Sequence, residues 1–185
     1  QHGLFEHTLG DRTHFRDIKI LDNFCYIKHD HDRTEIRPFF NLSERLSEKP
    51  SLSWKDTHDL SPVIFNKVMD LIVPDTPFNS ALTGGYDSRT ILSYLLSKPK
   101  LTFQLYSWAA DDRWYDVAIA KKIAKEYNLD YLPIKLGNAM LDLYPVLADQ
   151  HIYWTDGLGS INRTNQMYSH SVLAKYSRLS ITGYF

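Results

Sequence analysis

After residue 60, the chain alternates between apolar runs of strand length and longer segments with helical spacing. The apolar runs that predict strands are residues 78–82, 101–108, 131–134 and 180–182. The segments that predict helices are residues 87–97, 114–127, 139–153 and 162–176. Such alternation is typical of a parallel sheet covered by helices. The predicted fold class is therefore α/β, with a parallel sheet that has helices on both faces.

The first sixty residues follow a different pattern. Alternating apolar positions predict strands at residues 15–21, 23–28 and 34–40, with a hairpin turn at residues 29–32. That turn reads His-Asp-His-Asp, so a metal cluster is one interpretation. A solvated turn is preferred, because nothing nearby completes a metal site. Residues 43–60 are polar and predict a linker, with or without a short helix.

A further helix is predicted just after this linker. Ser61 is suited to be its N-cap and Pro62 to lie in its first turn. The side expected to be buried comprises Val63, Phe65, Val68, Met69 and Ile72. The expected organisation is a β-rich segment at 1–42, a linker at 43–60 and an α/β domain at 61–185.

Composition narrows the functional classes. The formal net charge is −1, so no electrostatic footprint for nucleic acid is present and no nucleic-acid partner is expected. No apolar run approaches the length of a membrane span, and no membrane association is expected. Cys25 is the single cysteine, which excludes an intrachain disulfide framework and a cysteine zinc site. We therefore expect a reducing, cytoplasmic location.

Residues 79–90 carry the strongest chemical signal. A short strand leads into Thr83, Gly84 and Gly85, and a helix follows. Two glycines allow positive φ and close approach of the backbone to a ligand. The helix N-terminus offers unpaired N–H groups, hydroxyls lie at Thr83 and Ser88, and Asp87 can hold magnesium. The segment lacks the lysine of a Walker A loop and the G-x-G-x-x-G pattern of a Rossmann turn.

Residues 83–88, Thr-Gly-Gly-Tyr-Asp-Ser, resemble the Ser-Gly-Gly-x-Asp-Ser pyrophosphate loop of the N-type ATP pyrophosphatases. Three further segments are similar to the asparagine synthase family. Residues 10–21 resemble the end of its Ntn glutaminase domain, and residues 107–134 its second strand, helix and third strand. Residues 179–183 resemble the beginning of its Ser-Gly-Glu-Gly-x-Asp-Glu segment.

This resemblance implies an adenine nucleotide alpha hydrolase-like synthetase domain that binds ATP and Mg²⁺. The implied reaction activates a carboxylate, aspartate or a related acid, as an acyl-adenylate with release of pyrophosphate, and then amidates it. The implied partners are the carboxylate substrate, ammonia from glutamine and a glutaminase domain, with a homodimer left open. The implied ATP-binding residues are Ala81, Leu82, Thr83, Gly84, Gly85, Asp87, Ser88, Trp108, Ala109, Thr182 and Gly183. Asp87 is also the implied magnesium ligand, whereas the catalytic residues stay unassigned.

The chain departs from the family pattern at Tyr184, where the family has Glu. This difference favours a divergent amidotransferase that acts on another carboxylate or a glycan precursor. We also expect the chain to be an internal fragment that is inactive alone, since the glutaminase cysteine and the second magnesium-binding Asp are not in it. The alternatives are a β-lactam synthetase or peptide macrocyclase-like ligase of the same fold, and a non-catalytic nucleotide-binding protein.

Two features stay open at this level. Arg89 follows the loop, where it can pair with phosphate or simply lie on the surface. Residues 154–157 and 162–163 are candidates for part of an acceptor pocket, although a plain loop between elements is the preferred interpretation.

Overall fold

A computed structural model describes residues 10–13, 15–48, 51–157 and 159–183. Its contacts divide the chain into two compact units. The first ends at Leu60 and also includes the segment around residues 152–160, and the second comprises Ser61–His151 and the chain from Ile161 onward. The assignment of 1–42 to a glutaminase-like tail and of 43–60 to a linker stays a prediction.

The first unit contains a β-hairpin and a short helix. Strands β1 (Cys25–Asp30) and β2 (Arg33–Pro38) pair antiparallel, with Asp30 opposite Arg33 next to the turn. His31, in the turn, has a φ of +48°. Helix α1 (Leu42–Ser47) begins after Asn41, whose side chain accepts hydrogen bonds from the amides of Ser43 and Glu44. The predicted hairpin at residues 29–32 is therefore present.

The strand predicted at residues 15–21 is wrong. Only an isolated antiparallel bridge between Arg12 and Lys19 is formed there. The Thr13 hydroxyl donates to the Ile18 carbonyl oxygen at 2.7 Å and accepts from the Phe15 amide at 3.0 Å. A threonine side chain that binds the local backbone in this way competes with strand pairing, which explains the turn.

Helix α2 (Trp54–Ile72) begins earlier than the sequence predicted, and Pro62 lies in its interior. The cause is a reciprocal cap at Ser53 and Asp56. The Asp56 amide donates to the Ser53 hydroxyl oxygen at 3.1 Å, and the Ser53 amide donates to the Asp56 carboxylate at 3.3 Å. This arrangement satisfies two otherwise unpaired helix-terminal donors and fixes the start of the helix at this point.

The predicted buried side of α2 is only partly correct. Met69 is buried and Phe65 packs beside it, whereas Val63, Val68 and Ile72 are exposed.

The second unit is built on a four-stranded parallel sheet with the strand order β5-β4-β3-β6. In chain order its elements are β3 (Phe78–Ala81), α3 (Tyr86–Leu96), β4 (Phe103–Ala109), α4 (Tyr115–Glu126), β5 (Tyr131–Lys135), α5 (Asn138–Trp154), a 3-10 turn (Ile161–Arg163), α6 (Thr164–Leu173) and β6 (Ser180–Ile181). The predicted order of strands and helices is therefore present, with ends that differ by a few residues.

Side chains of β4 show that helices cover both faces of this sheet. Leu105 is fully buried against Leu92 of α3 and Ala120 of α4. The next residue, Tyr106, points to the other face and packs against Leu173 of α6. Because successive side chains of a strand alternate between faces, one strand is buried from both sides. The predicted α/β class with a parallel sheet and helices on both faces is confirmed.

A buried asparagine joins the last strand to this sheet. The Asn79 side-chain amide donates to the carbonyl oxygens of Ser177 at 2.8 Å and Leu179 at 3.2 Å. Since Asn79 is fully buried, these bonds hold the chain between α6 and β6 at the edge of β3.

Candidate functional site

The strand order creates a crevice at one edge of the sheet. From β3 the chain moves outward to β4 and β5, and then returns to the opposite side of β3 as β6. The carboxyl ends of β3 and β6 are therefore neighbours at the point where the strand order reverses. Such a topological switch point is where open α/β sheets bind ligands. The predicted site residues 81–88 and 182–183 follow these two strand ends directly.

Two hydroxyl groups shape the loop between β3 and α3. The Ser88 hydroxyl oxygen accepts from the Thr83 amide at 3.0 Å and lies 3.0 Å from the Thr83 hydroxyl. The Gly85 amide in turn donates to the Thr83 hydroxyl oxygen at 3.1 Å. Thr83 and Ser88 therefore bind each other and the loop backbone, which fixes the conformation in which the loop enters α3.

The N-terminus of α3 is open. Its N-cap is Gly85, and no side chain caps the helix. The partial positive charge and unpaired N–H groups of a helix N-terminus favour an anion. Asp87 lies exposed in this first turn, and its carboxylate forms no hydrogen bond or ion pair with another described residue. The turn thus combines anion-binding amides with a carboxylate that is available to a cation.

Gly183 packs directly on this first turn. A Cβ atom added to Gly183 would lie 3.0 Å from the Asp87 Cβ and 3.2 Å from the Ser88 backbone nitrogen. The backbone after β6 therefore approaches the beginning of α3 so closely that a side chain at this position would be tightly crowded. Two segments that are about a hundred residues apart in the sequence therefore meet here.

Gly84 lies close to the beginning of α4. A Cβ there would lie 2.9 Å from Cε1 of Tyr115 and 3.1 Å from Oδ1 of Asp116, which are both side-chain atoms. The sequence argument invoked both positive φ and close approach for this pair of glycines. The described glycines with positive φ are instead Gly10 and Gly157, so close approach is the reason that applies to Gly84.

Asp116 is a site residue that the sequence analysis did not single out. Its Oδ1 accepts a hydrogen bond from the Gly84 amide at 3.0 Å. Asp116 lies in the first turn of α4, and α4 follows the carboxyl end of β4. An acidic residue at the first turn of the next helix along a parallel sheet lies at the same edge as the loop, and this position was a usable signal.

Arg89 folds back onto the loop. Its Nε donates to the Gly85 carbonyl oxygen at 3.2 Å, and its guanidinium lies 4.6 Å from the centre of the Tyr86 ring. A cation over an aromatic face is held there by electrostatic attraction. Arg89 therefore brings positive charge to the loop, as the phosphate-pairing interpretation requires, and it is partly buried.

The remaining predicted site residues lie at the same edge by register. Leu82 is fully buried in the core, so only its backbone can face a ligand. Tyr106 pairs with Ala81, and β4 continues beyond that pair through Trp108 and Ala109. Because β4 extends past the end of β3, these two residues lie alongside the loop. Thr182 follows β6 directly.

A magnesium ion at this site would need oxygen ligands that the described part of the chain does not supply. Among the described residues, no group of three or more His, Cys, Asp or Glu side chains is arranged to hold a metal ion. Asp87 supplies one carboxylate, and magnesium commonly takes its other ligands from water and substrate phosphates. The donor set therefore matches a magnesium ion that arrives with a nucleotide.

Ion pairing and burial shift the pKa values of side chains on β4, on β5 and in the turn after β4. Arg113 donates hydrogen bonds to Asp111 after β4, and this pairing lowers the pKa of the Asp111 carboxyl. Burial raises the pKa of the Tyr106 and Tyr131 hydroxyls, so both phenols stay neutral and bind Ser180 and Ser107 respectively.

Residues 154–157 close the end of α5, where the Gly157 amide donates to the Ile152 carbonyl oxygen at 2.9 Å. Asp156 and Gly157 both have positive φ, which is typical of a helix C-terminal turn. Tyr184, where the sequence departs from the family pattern, lies outside the described residues.

Comparison with protein-family models, curated proteins and solved structures gave no match for this chain. No helix in the described parts of the chain has both the length and the apolar character needed to cross a membrane.

Proposed function

We propose that this chain carries the nucleotide-binding part of an asparagine synthase-like, ATP-dependent amidotransferase. The observation that carries the proposal is the contact at the switch point, where Gly183 lies against the first turn of α3. A Cβ at Gly183 would be 3.0 Å from the Asp87 Cβ, so the chain after β6 lies directly against the turn in which the loop enters α3. This arrangement supports a pocket for a polyphosphate between two adjacent strand ends.

In the proposed reaction, a substrate carboxylate oxygen forms a bond to the α-phosphorus of ATP. The bond from that phosphorus to the bridging oxygen of pyrophosphate breaks, and pyrophosphate leaves. Ammonia derived from glutamine then attacks the acyl carbon, and AMP departs with its oxygen. The amides at the beginning of α3 would bind the departing pyrophosphate, whose growing negative charge they stabilise.

Other loop residues have supporting roles in this proposal. Asp87 would hold the magnesium ion, which neutralises phosphate charge when it is bound. Arg89 would add a second positive charge beside the loop, since its guanidinium is already held over Tyr86. Trp108 and Ala109 would face the adenosine, because β4 extends beyond the end of β3.

The binding part of the proposal is tested by calorimetry with ATP in the presence and absence of Mg²⁺. We expect the Asp87→Ala variant to bind Mg-ATP about tenfold or more weakly, because several kcal/mol of charge neutralisation depend on the held ion. Asp149→Ala is the matched control, since Asp149 is an exposed acid on α5. Equal Mg-ATP affinity in wild type and Asp87→Ala would remove the assigned role of Asp87.

The chemical part is tested by ATP–pyrophosphate exchange on the full-length protein with a panel of carboxylates. Exchange that depends on one acid would support adenylation and identify the acceptor class. Mg-ATP binding with no exchange for any acid would instead indicate a non-catalytic nucleotide-binding protein.

A further inference from the structure

The loop between β3 and α3 is tied to the neighbouring helix through Gly84. The Gly84 amide donates to Oδ1 of Asp116 at 3.0 Å, over a sequence separation of 32 residues. The ring of Tyr115 fills the space beside Gly84, since a Cβ there would be 2.9 Å from its Cε1. A phosphate oxygen has no room at this amide while both side chains stay in place. In this arrangement the Gly84 amide is therefore hydrogen-bonded to Asp116 and is not available to a ligand.

Asp116 is well suited to a fixed role of this kind. It is the second residue of α4, whose N-cap Trp114 provides no side-chain cap. A carboxylate in the first turn is favoured by the helix dipole, and an ionised acceptor forms a stronger hydrogen bond than a neutral one. The Asp116 carboxylate thus stabilises the N-terminus of α4 and also accepts the hydrogen bond from the loop before α3.

An ion pair and a backbone hydrogen bond fix the segment just before Asp116. Arg113 forms an ion pair with Asp111 at 2.6 Å, and the Trp114 amide donates to the Asp111 carbonyl oxygen at 3.1 Å. Bonds within residues 111–114 therefore fix the turn that leads into α4.

We propose that Asp116 is a positioning residue that holds Gly84 so that the first-turn amides of α3 stay directed to the crevice between β3 and β6. This role rests on the proposed polyphosphate site. It also assigns the two glycines different tasks, with Gly84 as the attachment point to α4 and Gly85 as the open N-cap of α3. The competing interpretation is that the Asp116 carboxylate occupies a phosphate position and must leave before the ligand binds.

The two interpretations predict opposite effects of removing Asp116. If Asp116 positions the loop, Asp116→Ala lets the loop populate other conformations, and Mg-pyrophosphate binds about tenfold more weakly. If Asp116 occupies a phosphate position, the same variant binds Mg-pyrophosphate more tightly, because a competing negative charge is gone. Asp116→Asn keeps an oxygen acceptor for Gly84, so we expect it to restore affinity to within about threefold of wild type.

The experiment combines calorimetry of Mg-pyrophosphate binding with NMR of the Gly84 amide in the same chains. In wild type and Asp116→Asn we expect a hydrogen-bonded Gly84 amide proton, shifted downfield and exchanging slowly with solvent. In Asp116→Ala we expect an upfield shift and exchange that is about tenfold faster. Asp149→Ala controls for the loss of one negative charge, and urea midpoints confirm that each variant is folded.

An unchanged Gly84 amide in Asp116→Ala, or tighter ligand binding by that variant, would overturn the positioning role. If wild type binds no Mg-pyrophosphate and no Mg-ATP, the proposed function fails, and the role of Asp116 in binding fails with it. The Gly84 amide signal separates that case from a wrong assignment of Asp116, because it reports the contact without any ligand.

Discussion

Gly183→Ala tests the close contact on which the candidate site depends. The new Cβ would lie 3.0 Å from the Asp87 Cβ, 3.2 Å from the Ser88 nitrogen and 3.3 Å from the Asp87 carbonyl carbon. Two of these three atoms belong to the backbone at the beginning of α3, which cannot rotate away as a flexible side chain can. We therefore expect the chain after β6 and the first turn of α3 to be pushed apart.

The size of the effect follows from two opposing contributions. Overpacking of this kind costs about 1–3 kcal/mol. Replacing Gly by Ala also stabilises the folded state by about 0.4–1 kcal/mol, because the unfolded chain has less freedom to lose. The expected net destabilisation is about 1.5 kcal/mol. With an m-value of about 1.5 kcal/mol/M, the urea midpoint should fall by about 1 M.

Gly137→Ala is the matched control. A Cβ at Gly137 would contact only Lys135, at 3.9 Å, which is an ordinary van der Waals distance. Gly137 accepts the first bonds of α5, where Ala costs about 0.5 kcal/mol more than Gly, and the unfolded-state gain offsets this loss. Its urea midpoint should stay close to that of wild type.

Mg-ATP binding shows whether the Gly183 contact matters for the candidate site as well as for stability. Because the displaced turn carries the proposed phosphate-binding amides, Gly183→Ala should also weaken Mg-ATP binding. A Gly183→Ala chain with the midpoint and the Mg-ATP affinity of wild type would refute both the described contact and its link to the site.

Two further predictions concern the framework around the site. Asn79→Ala should destabilise the second unit by about 2 kcal/mol, because the fully buried side chain and its hydrogen bonds to the Ser177 and Leu179 carbonyl oxygens are lost. Ser80→Ala, at the next buried position, should be close to neutral in the same urea titration, since its hydroxyl has no hydrogen-bond partner among the described residues. Asp70 accepts hydrogen bonds at 2.6 Å from Lys98 and from Tyr94, and these lower the pKa of the Asp70 carboxyl below its ordinary 3.8. Its stabilising contribution is therefore present above pH 3.8 and is lost as the pH falls through the lower folded pKa. In urea titrations repeated from pH 6 to 2.5, the gap between wild type and Asp70→Asn should narrow below about pH 3.8; a constant gap would contradict this assignment.

The order of strands and helices in the second unit was available from apolar spacing alone. Short apolar runs such as residues 78–82 have the length of a buried strand, whereas longer segments such as residues 114–127 repeat their apolar positions with the 3.6-residue period of a helix. The alternation of such runs with such segments implies a parallel sheet that is covered by helices. Local capping was less visible, since the reciprocal bonds of Ser53 and Asp56 outweighed the helix-start signal of Pro62.

The sequence by itself determined the α/β class and the place of the glycine loop between a strand and a helix. Tertiary structure alone decided what lies against the glycines of the site, since Gly84 contacts Asp116 from 32 residues away and Gly183 contacts the first turn of α3. Periodicity reports the environment of each residue within its own element, whereas these contacts depend on the order in which the strands assemble. That order, β5-β4-β3-β6, is what brings the ends of β3 and β6 together at the candidate site.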